Sequence, residues 1–457
     1  MADVIAAIAT ALSPSGIGIV RMSGEKAMDV LYRMYRSKND RKDIQKAASH
    51  TIHYGYIVDE ETVIDEVLIM WMKGPRTYTG ENTVEIDCHG GILAVHRVLD
   101  TALKCGARLA EPGEFTKRAF LNGKMDLSEA EAVMDVIQAG SEYALHNSLQ
   151  QLKGSVRQAV TDMRKNILYH MAYIESALDD PEHFTLEGYG ETLKEALIPI
   201  ERQIEHLEKS FDDGRLLREG IRTVILGKPN AGKSSVWNML LGEDRAIVTD
   251  IAGTTRDVLE EQMMLKGISL RLADTAGIRD TDNPVEQIGV DRARQYAGQA
   301  DLILFVLDSS LAFDEDDEQI LGSIRDKNYI VLLNKTDLAA KITPEGLCEK
   351  TDRPVILFSA KEGTGLEELE ELLKKMFFGG ELSFQEDIYI TNSRHKQELS
   401  EAGKYIRLAV GSIDDGMPED FYFIDLMGAY EHLGNIIGES VGDDLVNEIF
   451  SRFCVGK

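Results

Sequence analysis

Cysteine is scarce in this sequence. Only four occur among 457 residues: Cys88, Cys105, Cys348 and Cys454. Their spacing matches no paired metal-ligand motif, and a disulfide framework is typical of small secreted domains rather than of a chain this long. These absences argue against a disulfide-stapled scaffold and a cysteine metal centre, and they favour a reducing cytoplasm.

Long hydrophobic runs are missing as well. The apolar stretch from Val4 to Leu12 is too short to span a bilayer, and Asp3 precedes it where a signal peptide carries lysine or arginine. We therefore predict a buried strand at this position, in a cytoplasmic protein with no membrane span.

Positive charge is also limited. The chain has 50 Lys and Arg against 78 Asp and Glu, which gives a net charge of −28. Because contacts to phosphate dominate nucleic-acid affinity, this balance disfavours a broad basic face that binds nucleic acid unaided. Any nucleic-acid role is expected to need a basic partner, although an acidic surface that only maintains solubility explains the composition as well.

The character of the sequence changes along its length, and a chain of this size favours about two to four domains. Short apolar runs alternate with turns as far as Leu121, and helix-forming residues dominate from Leu127. Strands alternate with amphipathic stretches from Ile221 to Phe378, and helical periodicity returns after Ile388. We predict a multidomain protein: an N-terminal α+β domain at 1–121, a discontinuous α-helical domain at 122–215 and 379–457, and an α/β domain inserted at 216–378.

A phosphate-binding loop follows the first apolar strand of the inserted domain. The loop is Gly227-Lys228-Pro229-Asn230-Ala231-Gly232-Lys233-Ser234. A strand before it and a helix after it are the required context. Its glycines allow backbone N–H groups to close around phosphates, Lys233 can neutralise the outer phosphates, and Ser234 can ligate Mg²⁺.

Two further motifs complete the phosphate side of the site. Asp274-Thr275-Ala276-Gly277 follows a strand, where an acid can hold the Mg²⁺ shell and a glycine can approach the γ-phosphate. Gly253-Thr254-Thr255-Arg256-Asp257 lies before it, and Thr255 is expected to be the second hydroxyl ligand of Mg²⁺ on a loop ordered by triphosphate.

The last two motifs define the base. Asn334-Lys335-Thr336-Asp337 follows a strand at the carboxyl edge of the predicted sheet, where α/β proteins bind ligands. Asp337 can accept two N–H groups from guanine, a pair that adenine does not offer. Ser359-Ala360-Lys361 is typical of a backbone clamp on the base. The five motifs in this order predict a GTP-binding and GTP-hydrolysing switch.

The catalytic apparatus departs from that of the small GTPases. The glutamine that orients the attacking water there is replaced by Ile278. Acids in the following segment are candidates for this role: Asp280, Asp282 and Glu286. On the residues alone, each is better explained as a solvated surface charge, because the chain has 78 Asp and Glu.

Further short strings of sequence are distinctive along the whole chain. In the inserted domain they are residues 227–235, 248–257 and 285–289, and elsewhere they are residues 19–24, 78–82, 111–116, 121–127 and 453–457. In these strings the sequence resembles the MnmE (TrmE) family of bacterial tRNA modification GTPases, in the TrmE-Era-EngA-YihA-Septin-like P-loop GTPase superfamily.

The resemblance implies a GTPase that is activated by potassium-dependent pairing of its own G domains. The matching K⁺ ligands are Asn230, through its side chain, with Thr249, Ile251 and Thr254. Bound K⁺ would supply positive charge where the transition state develops negative charge, and Glu286 matches the acid that acts on the water. Without the resemblance, Asn230 is better explained as a turn residue. The GTP-binding residues expected in all are Asn230, Ala231, Gly232, Lys233, Ser234, Ser235, Thr249, Asp250, Ile251, Ala252, Gly253, Thr254, Thr255, Asp274, Thr275, Ala276, Gly277, Asn334, Lys335, Asp337, Ser359 and Ala360.

The resemblance also implies that the N-terminal domain dimerises and binds 5-formyl- or methylene-tetrahydrofolate. The matching residues are Arg21, Glu85, Lys124 and Lys457, and it makes Cys454 functional in tRNA modification. On the residues alone, Arg21 and Lys124 are simply surface cations, and a lone cysteine is usually a small hydrophobe.

The implied reaction places an aminomethyl or carboxymethylaminomethyl group at carbon 5 of wobble uridine 34. The implied partner is the FAD- and NADH-dependent protein MnmG (GidA), in a heterotetramer or larger complex that makes much of the tRNA contact. The absence of a Gly-x-Gly-x-x-Gly fingerprint agrees with flavin chemistry in a partner. Two alternatives stay open: a regulatory GTPase of ribosome assembly, and a folate-dependent one-carbon transferase regulated by GTP.

Overall fold

A computed structural model describes residues 3–38, 43–180, 182–242, 260–265, 267–273, 298–378, 388–439 and 441–456. The chain divides into two compact units. The first comprises residues 1–134, 151–197 and 404–457, and the second comprises residues 135–150 and 198–403.

A seven-stranded sheet forms the framework of the first unit, in the order β3-β4-β5-β6-β2-β1-β7. Its strands are β1 (Ile5–Ile8), β2 (Ile17–Ser23), β3 (Tyr35–Ser37), β4 (Thr51–Asp59), β5 (Thr62–Met72), β6 (Thr83–His89) and β7 (Arg108–Leu109). All neighbours pair antiparallel except β1 and β7. The strand predicted from Val4 to Leu12 is shorter than expected and spans only Ile5–Ile8. The chain leaves the sheet before the turn-rich Ser13-Pro14-Ser15-Gly16.

Side-chain alternation gives this sheet one covered face. Val20 and Met22 of β2 are fully buried, in a core to which α1 (Ala27–Met34) and α2 (Ile92–Lys104) contribute. Arg21 lies between them in sequence and so points to the opposite face. The helix α3 (Glu114–Leu121) follows β7, and a 3₁₀ turn spans Ile44–Lys46.

Helices make up the remainder of the first unit and part of the second. They are α4 (Leu127–Gln138), α5 (Glu142–Leu152), α6 (Ser155–Asp179), α7 (Tyr189–Glu219), α12 (Ser393–Asp414), α13 (Glu419–Ile437) and α14 (Asp443–Ser451). Within the first unit α6 packs on α13, where the Arg164 guanidinium lies 4.0 Å from the centre of the Tyr430 ring. Two distant stretches of sequence thus supply the helices.

A six-stranded sheet forms the second unit, in the order β13-β12-β11-β8-β10-β9. Its strands are β8 (Ile221–Leu226), β9 (Glu260–Leu265), β10 (Ile268–Ala273), β11 (Leu302–Asp308), β12 (Tyr329–Asn334) and β13 (Val355–Leu357). The helices α8 (Lys233–Leu241), α9 (Glu315–Ile324), α10 (Pro344–Cys348) and α11 (Leu366–Phe377) lie between and after them. Only β9 and β10 pair antiparallel among these strands, and every residue of β11 is buried.

The predicted fold class is confirmed: an N-terminal α+β domain, helices from two distant segments, and a P-loop-type α/β domain inserted between them. The exact domain boundaries stay predictions. None of the helices in the described ranges is long and apolar enough to cross a membrane.

Candidate functional site

The phosphate-binding loop joins β8 to α8 and is folded tightly. Gly232 ends it with a φ of +97°, and a β-carbon at this position would lie 2.2 Å from Nδ2 of Asn334. Asn230 also has a positive φ, of +60°. Only a residue without a side chain fits at position 232, which explains the sequence requirement there.

Lys233 lies at the start of α8 and folds its ammonium group back over the loop. Its Nζ donates hydrogen bonds to the carbonyl oxygens of Gly227 at 2.9 Å and Lys228 at 2.7 Å. Ser234 and Ser235 occupy the first turn of α8 and are exposed. A cation and two hydroxyls at a helix N-terminus can bind phosphate oxygens and a Mg²⁺ ion.

Asn334 connects the phosphate-binding loop with the predicted base clamp. Its side chain is buried, its Nδ2 donates to the Ala231 carbonyl at 3.0 Å, and its Oδ1 accepts from the Ala360 N–H at 3.1 Å. Three motifs that are far apart in sequence are therefore brought together by one amide side chain.

Asp337 lies beside the same clamp. Its Oδ1 accepts a hydrogen bond from Oγ of Ser359 at 3.1 Å, while Nζ of Lys361 is 3.8 Å from its Oδ2. The carboxylate is mostly buried but keeps 13% of its side-chain surface exposed. Its remaining acceptor capacity can be used by the two N–H groups of a guanine.

Lys335 occupies a position with a φ of +63° between the clamp and the loop. Its Nζ donates to the Asn230 carbonyl at 2.8 Å and to Oδ2 of Asp308 at 2.6 Å. Burial tends to raise the pKa of Asp308, but hydrogen bonds from Lys335 and Ser310 outweigh it and hold this pKa below its ordinary value. Sequence reasoning missed Asp308, although an acid that ends a buried strand at the ligand edge was a usable signal.

Part of the predicted site lies outside the described residues. These are Thr249, Asp250, Ile251, Ala252, Gly253, Thr254, Thr255, Asp274, Thr275, Ala276, Gly277, Glu286 and Lys457. Their roles stay predictions.

Replacing Gly232 with alanine is expected to distort the loop, because the new β-carbon meets Asn334 and the positive φ is strained. We expect a loss of about 1–3 kcal/mol in the free energy of unfolding of the domain, together with weaker GDP binding. Denaturant unfolding and titration with a fluorescent GDP would measure both. Gly322→Ala is the control, since open space surrounds Gly322 in α9 and alanine there favours the helix. Unchanged GDP binding by Gly232→Ala would contradict the assignment of the loop.

Arg21 and Glu85 face each other on neighbouring strands of the first unit. They are direct partners in the β2–β6 register, and Nε of Arg21 lies 2.7 Å from Oε1 of Glu85. The guanidinium carbon of Arg21 is 6.0 Å from the centre of the Tyr78 ring and 5.8 Å from that of Phe115. Nζ of Lys124 donates to the carbonyl of Pro75, on the loop that carries Tyr78. Arg21 is thus part of a cluster rather than an isolated surface cation.

The C-terminal segment reaches the same cluster. Nη1 of Arg21 donates to the Gly456 carbonyl at 3.1 Å, and the Gly113 N–H donates to the Cys454 carbonyl at 3.3 Å. A β-carbon on Gly456 would lie 2.4 Å from the carbonyl oxygen of Ile8, so the segment packs closely on β1. Cys454 is exposed as a free thiol at this position.

The fold and the nucleotide site together define a P-loop GTPase. Two family profiles match the chain: one described as MnmE helical domain covers residues 127–454, and one described as GTP-binding protein TrmE N-terminus covers residues 4–124. The chain belongs to the MnmE family of tRNA modification GTPases.

Full-length relatives support this assignment. The tRNA modification GTPase MnmE of Lachnoclostridium phytofermentans is 54% identical over 455 residues and covers 100% of this chain and 99% of its own. Proteins of the same name from Thermoanaerobacter pseudethanolicus and Clostridioides difficile are 48% and 46% identical, each with coverage of 100% and 99%. Among solved structures, the G domain of the T. maritima FeoB iron transporter is 29% identical; the match covers 33% of this chain and 94% of that one, with a TM-score of 0.25.

Proposed function

We propose that this GTPase, together with a flavoprotein partner, adds an aminomethyl or carboxymethylaminomethyl group to carbon 5 of uridine 34 in certain tRNAs. The observation that carries this proposal is the hydrogen bond from Arg21 to Gly456, which brings the segment of Cys454 to the Arg21–Glu85 pair. The chain thus has a nucleotide site for GTP hydrolysis and a separate polar cluster that could bind the folate, and the proposed reaction needs both.

The nucleotide site binds GTP with Mg²⁺. Lys233 and the loop N–H groups hold the phosphates, and Asp337 selects guanine. Ser234 would hold the metal with Thr255, and bound Mg²⁺ would neutralise phosphate charge. The return of the Lys233 ammonium to two loop carbonyls supports this role, because the cation is already confined to the loop that surrounds the phosphates.

Hydrolysis is accelerated when two G domains of a homodimer pair in the presence of K⁺. Asn230 would hold the ion through its side chain, with Thr249, Ile251 and Thr254, and Glu286 would orient the attacking water. Two observations support this role for Asn230. The residue is exposed, and Lys335 contacts its backbone carbonyl rather than its side chain. Its amide group offers a carbonyl oxygen, and carbonyl oxygens can replace the hydration shell of K⁺.

The N-terminal cluster binds a formyl- or methylene-tetrahydrofolate through Arg21, Glu85, Lys124 and Lys457. The donor set suits such a ligand, since cations can hold a glutamate tail and carboxylates can accept from a pterin. Oδ1 of Asp87, next on the same face of β6 after Glu85, is buried and has no hydrogen-bond partner among the described residues. Burial, and then the charge of Glu85, raise the pKa of Asp87. A donor edge of the ligand would satisfy this atom.

The partner is the FAD-dependent MnmG (GidA), and tRNA is bound mainly by the complex in the cytoplasm. The net charge of −28 supports this division of labour, since it leaves the chain poorly suited to bind tRNA unaided. Nothing in the described residues favours a role in ribosome assembly over this one.

Reconstitution tests the proposal. The purified chain, MnmG, FAD, NADH, GTP, the folate and a uridine-34 tRNA are expected to yield modified tRNA, as measured by mass spectrometry of nucleosides. Cys454→Ser should lower modification by about 10²-fold or more, while GTP hydrolysis stays within about twofold. Cys348→Ser, at an exposed cysteine of the second unit, is the matched control.

Two outcomes would contradict it. Absence of modification by the complete mixture, with co-purification on ribosomal subunits, would favour the assembly GTPase. Modification by the chain and folate without MnmG would favour the one-carbon transferase.

A further inference from the structure

Lys228 belongs to the phosphate-binding loop, but its side chain is committed elsewhere. Its Nζ lies 2.6 Å from Oδ2 of Asp314 and 2.8 Å from Oδ2 of Asp317, and only 18% of the side chain is exposed. A lysine in this loop could in principle contact phosphate, as Lys233 is expected to do. Here the two acids hold it at the N-terminus of α9 instead.

The two acids are themselves fixed by a reciprocal capping box. Asp314 is the N-cap of α9 and accepts from the N–H groups of Asp316 and Asp317, while the Asp317 side chain accepts from the Asp314 N–H. Asp317 is almost completely buried, whereas 55% of the Asp314 side chain is exposed. Both carboxylates of the capping box therefore also contact the Lys228 ammonium, which connects the start of α9 to the phosphate-binding loop.

Lys228 also contacts Lys233, through its backbone carbonyl. The Lys228 carbonyl accepts the 2.7 Å hydrogen bond from Nζ of Lys233. Lys228 therefore contacts both acids through its side chain and the Lys233 ammonium through its carbonyl oxygen.

We propose that Lys228 is a positioning residue for GTP: its ion pair with Asp314 and Asp317 fixes the loop carbonyl that orients Lys233 towards the phosphates. The inference rests on the proposed nucleotide site. Two features support it. Removing the ammonium leaves a buried carboxylate without its counter-ion close to the loop, and such a group costs more than the loss of an exposed pair. Burial also raises the pKa of Asp317, and the hydrogen bond from Lys228 opposes that rise.

Lys228→Met tests the proposal, because methionine keeps the length of the side chain and removes its charge. We expect the KM for GTP and the Kd for fluorescent GDP to rise by about tenfold, with kcat changed by less than about threefold. This pattern is expected when a variant weakens binding of the substrate and of the transition state equally. Lys228→Arg should restore most of the affinity. Lys327→Met, at a lysine loosely paired 3.9 Å from Asp326, is the control and should leave both constants unchanged.

Asp317→Asn separates this role from direct contact with phosphate. If Lys228 acts through the ion pair, Asp317→Asn raises KM as Lys228→Met does, and the double variant is no worse than either single one. If Asp317→Asn impairs folding, Asp314→Asn tests the same ion pair at its exposed partner, where a smaller rise in KM is expected.

Two results would overturn the proposal. An increase in KM for Lys228→Met alone, unaffected by either aspartate, means that Lys228 acts directly on the phosphates. Lower Tm with unchanged KM and Kd means that the pair only stabilises the domain. Absence of GTP binding by the unaltered chain would instead refute the nucleotide site itself, which is a distinct outcome.

Discussion

Asp337→Asn is expected to lower the affinity for GTP by about 10³–10⁵-fold and to create affinity for xanthosine triphosphate. The aspartate is proposed to accept two N–H groups from guanine, whereas asparagine presents one acceptor and one donor. Xanthine offers the matching N–H and carbonyl pair. With guanine, the exocyclic amino group of the base would face the amide NH₂ of the asparagine, and two donors cannot bond to each other. Competition of both nucleotides against a fluorescent GDP would measure the change.

The control for this exchange is Asp326→Asn, in the same domain, where 78% of the side chain is exposed. It removes one negative charge without touching the site, and GTP affinity should stay unchanged. Equal binding of GTP by Asp337→Asn and the unaltered chain would show that base recognition lies elsewhere. The partner Ser359, which donates to Asp337, is the next residue to test in that event.

Steady-state GTP hydrolysis is expected to be at least about tenfold faster in KCl than in NaCl at equal ionic strength. A bound cation of the right size supplies the charge that an arginine finger gives to other GTPases. Glu286→Ala should lower the KCl rate by about 10²-fold, because Glu286 is proposed to orient the attacking water. Phosphate release measured at several protein concentrations would also report whether the rate depends on pairing of two chains.

Asp280→Ala is the matched control, because it removes a nearby acid from the same segment. Equal rates in the two salts would rule out cation assistance and return the chain to the general class of GTPase switches. A full loss in Asp280→Ala with little change in Glu286→Ala would transfer the role to the other candidate acid.

The sequence predicted the second unit well because its requirements are local. A tight turn between a strand and a helix fixes Gly232 and Lys233, and motifs at the ends of parallel strands meet at one edge of the sheet. The position of Asn334 at that edge could be predicted from the strand before it. Its simultaneous contacts with Ala231 and Ala360 could not, since they depend on the register of three strands.

The first unit shows the limit of sequence reasoning more clearly. Period-two alternation predicts that Glu85 points away from the core, but not that Arg21 lies directly opposite it. The pairing depends on the β2–β6 register, which no local pattern encodes. The contacts of Lys228 with Asp314 and Asp317 could not be predicted from the sequence for the same reason, because side chains from distant segments meet only in the folded chain.

The contact between Arg21 and Gly456 joins positions 435 residues apart. A ribosome adds about 5–20 residues per second, so the second partner emerges tens of seconds after the first. The described strands of the inserted domain end at Leu357, so this domain can fold late in that interval, while the end of β1 still lacks the segment that packs on it. The parts of the nucleotide site are therefore all present before residue 456 emerges, whereas the arrangement around Cys454 can form only afterwards.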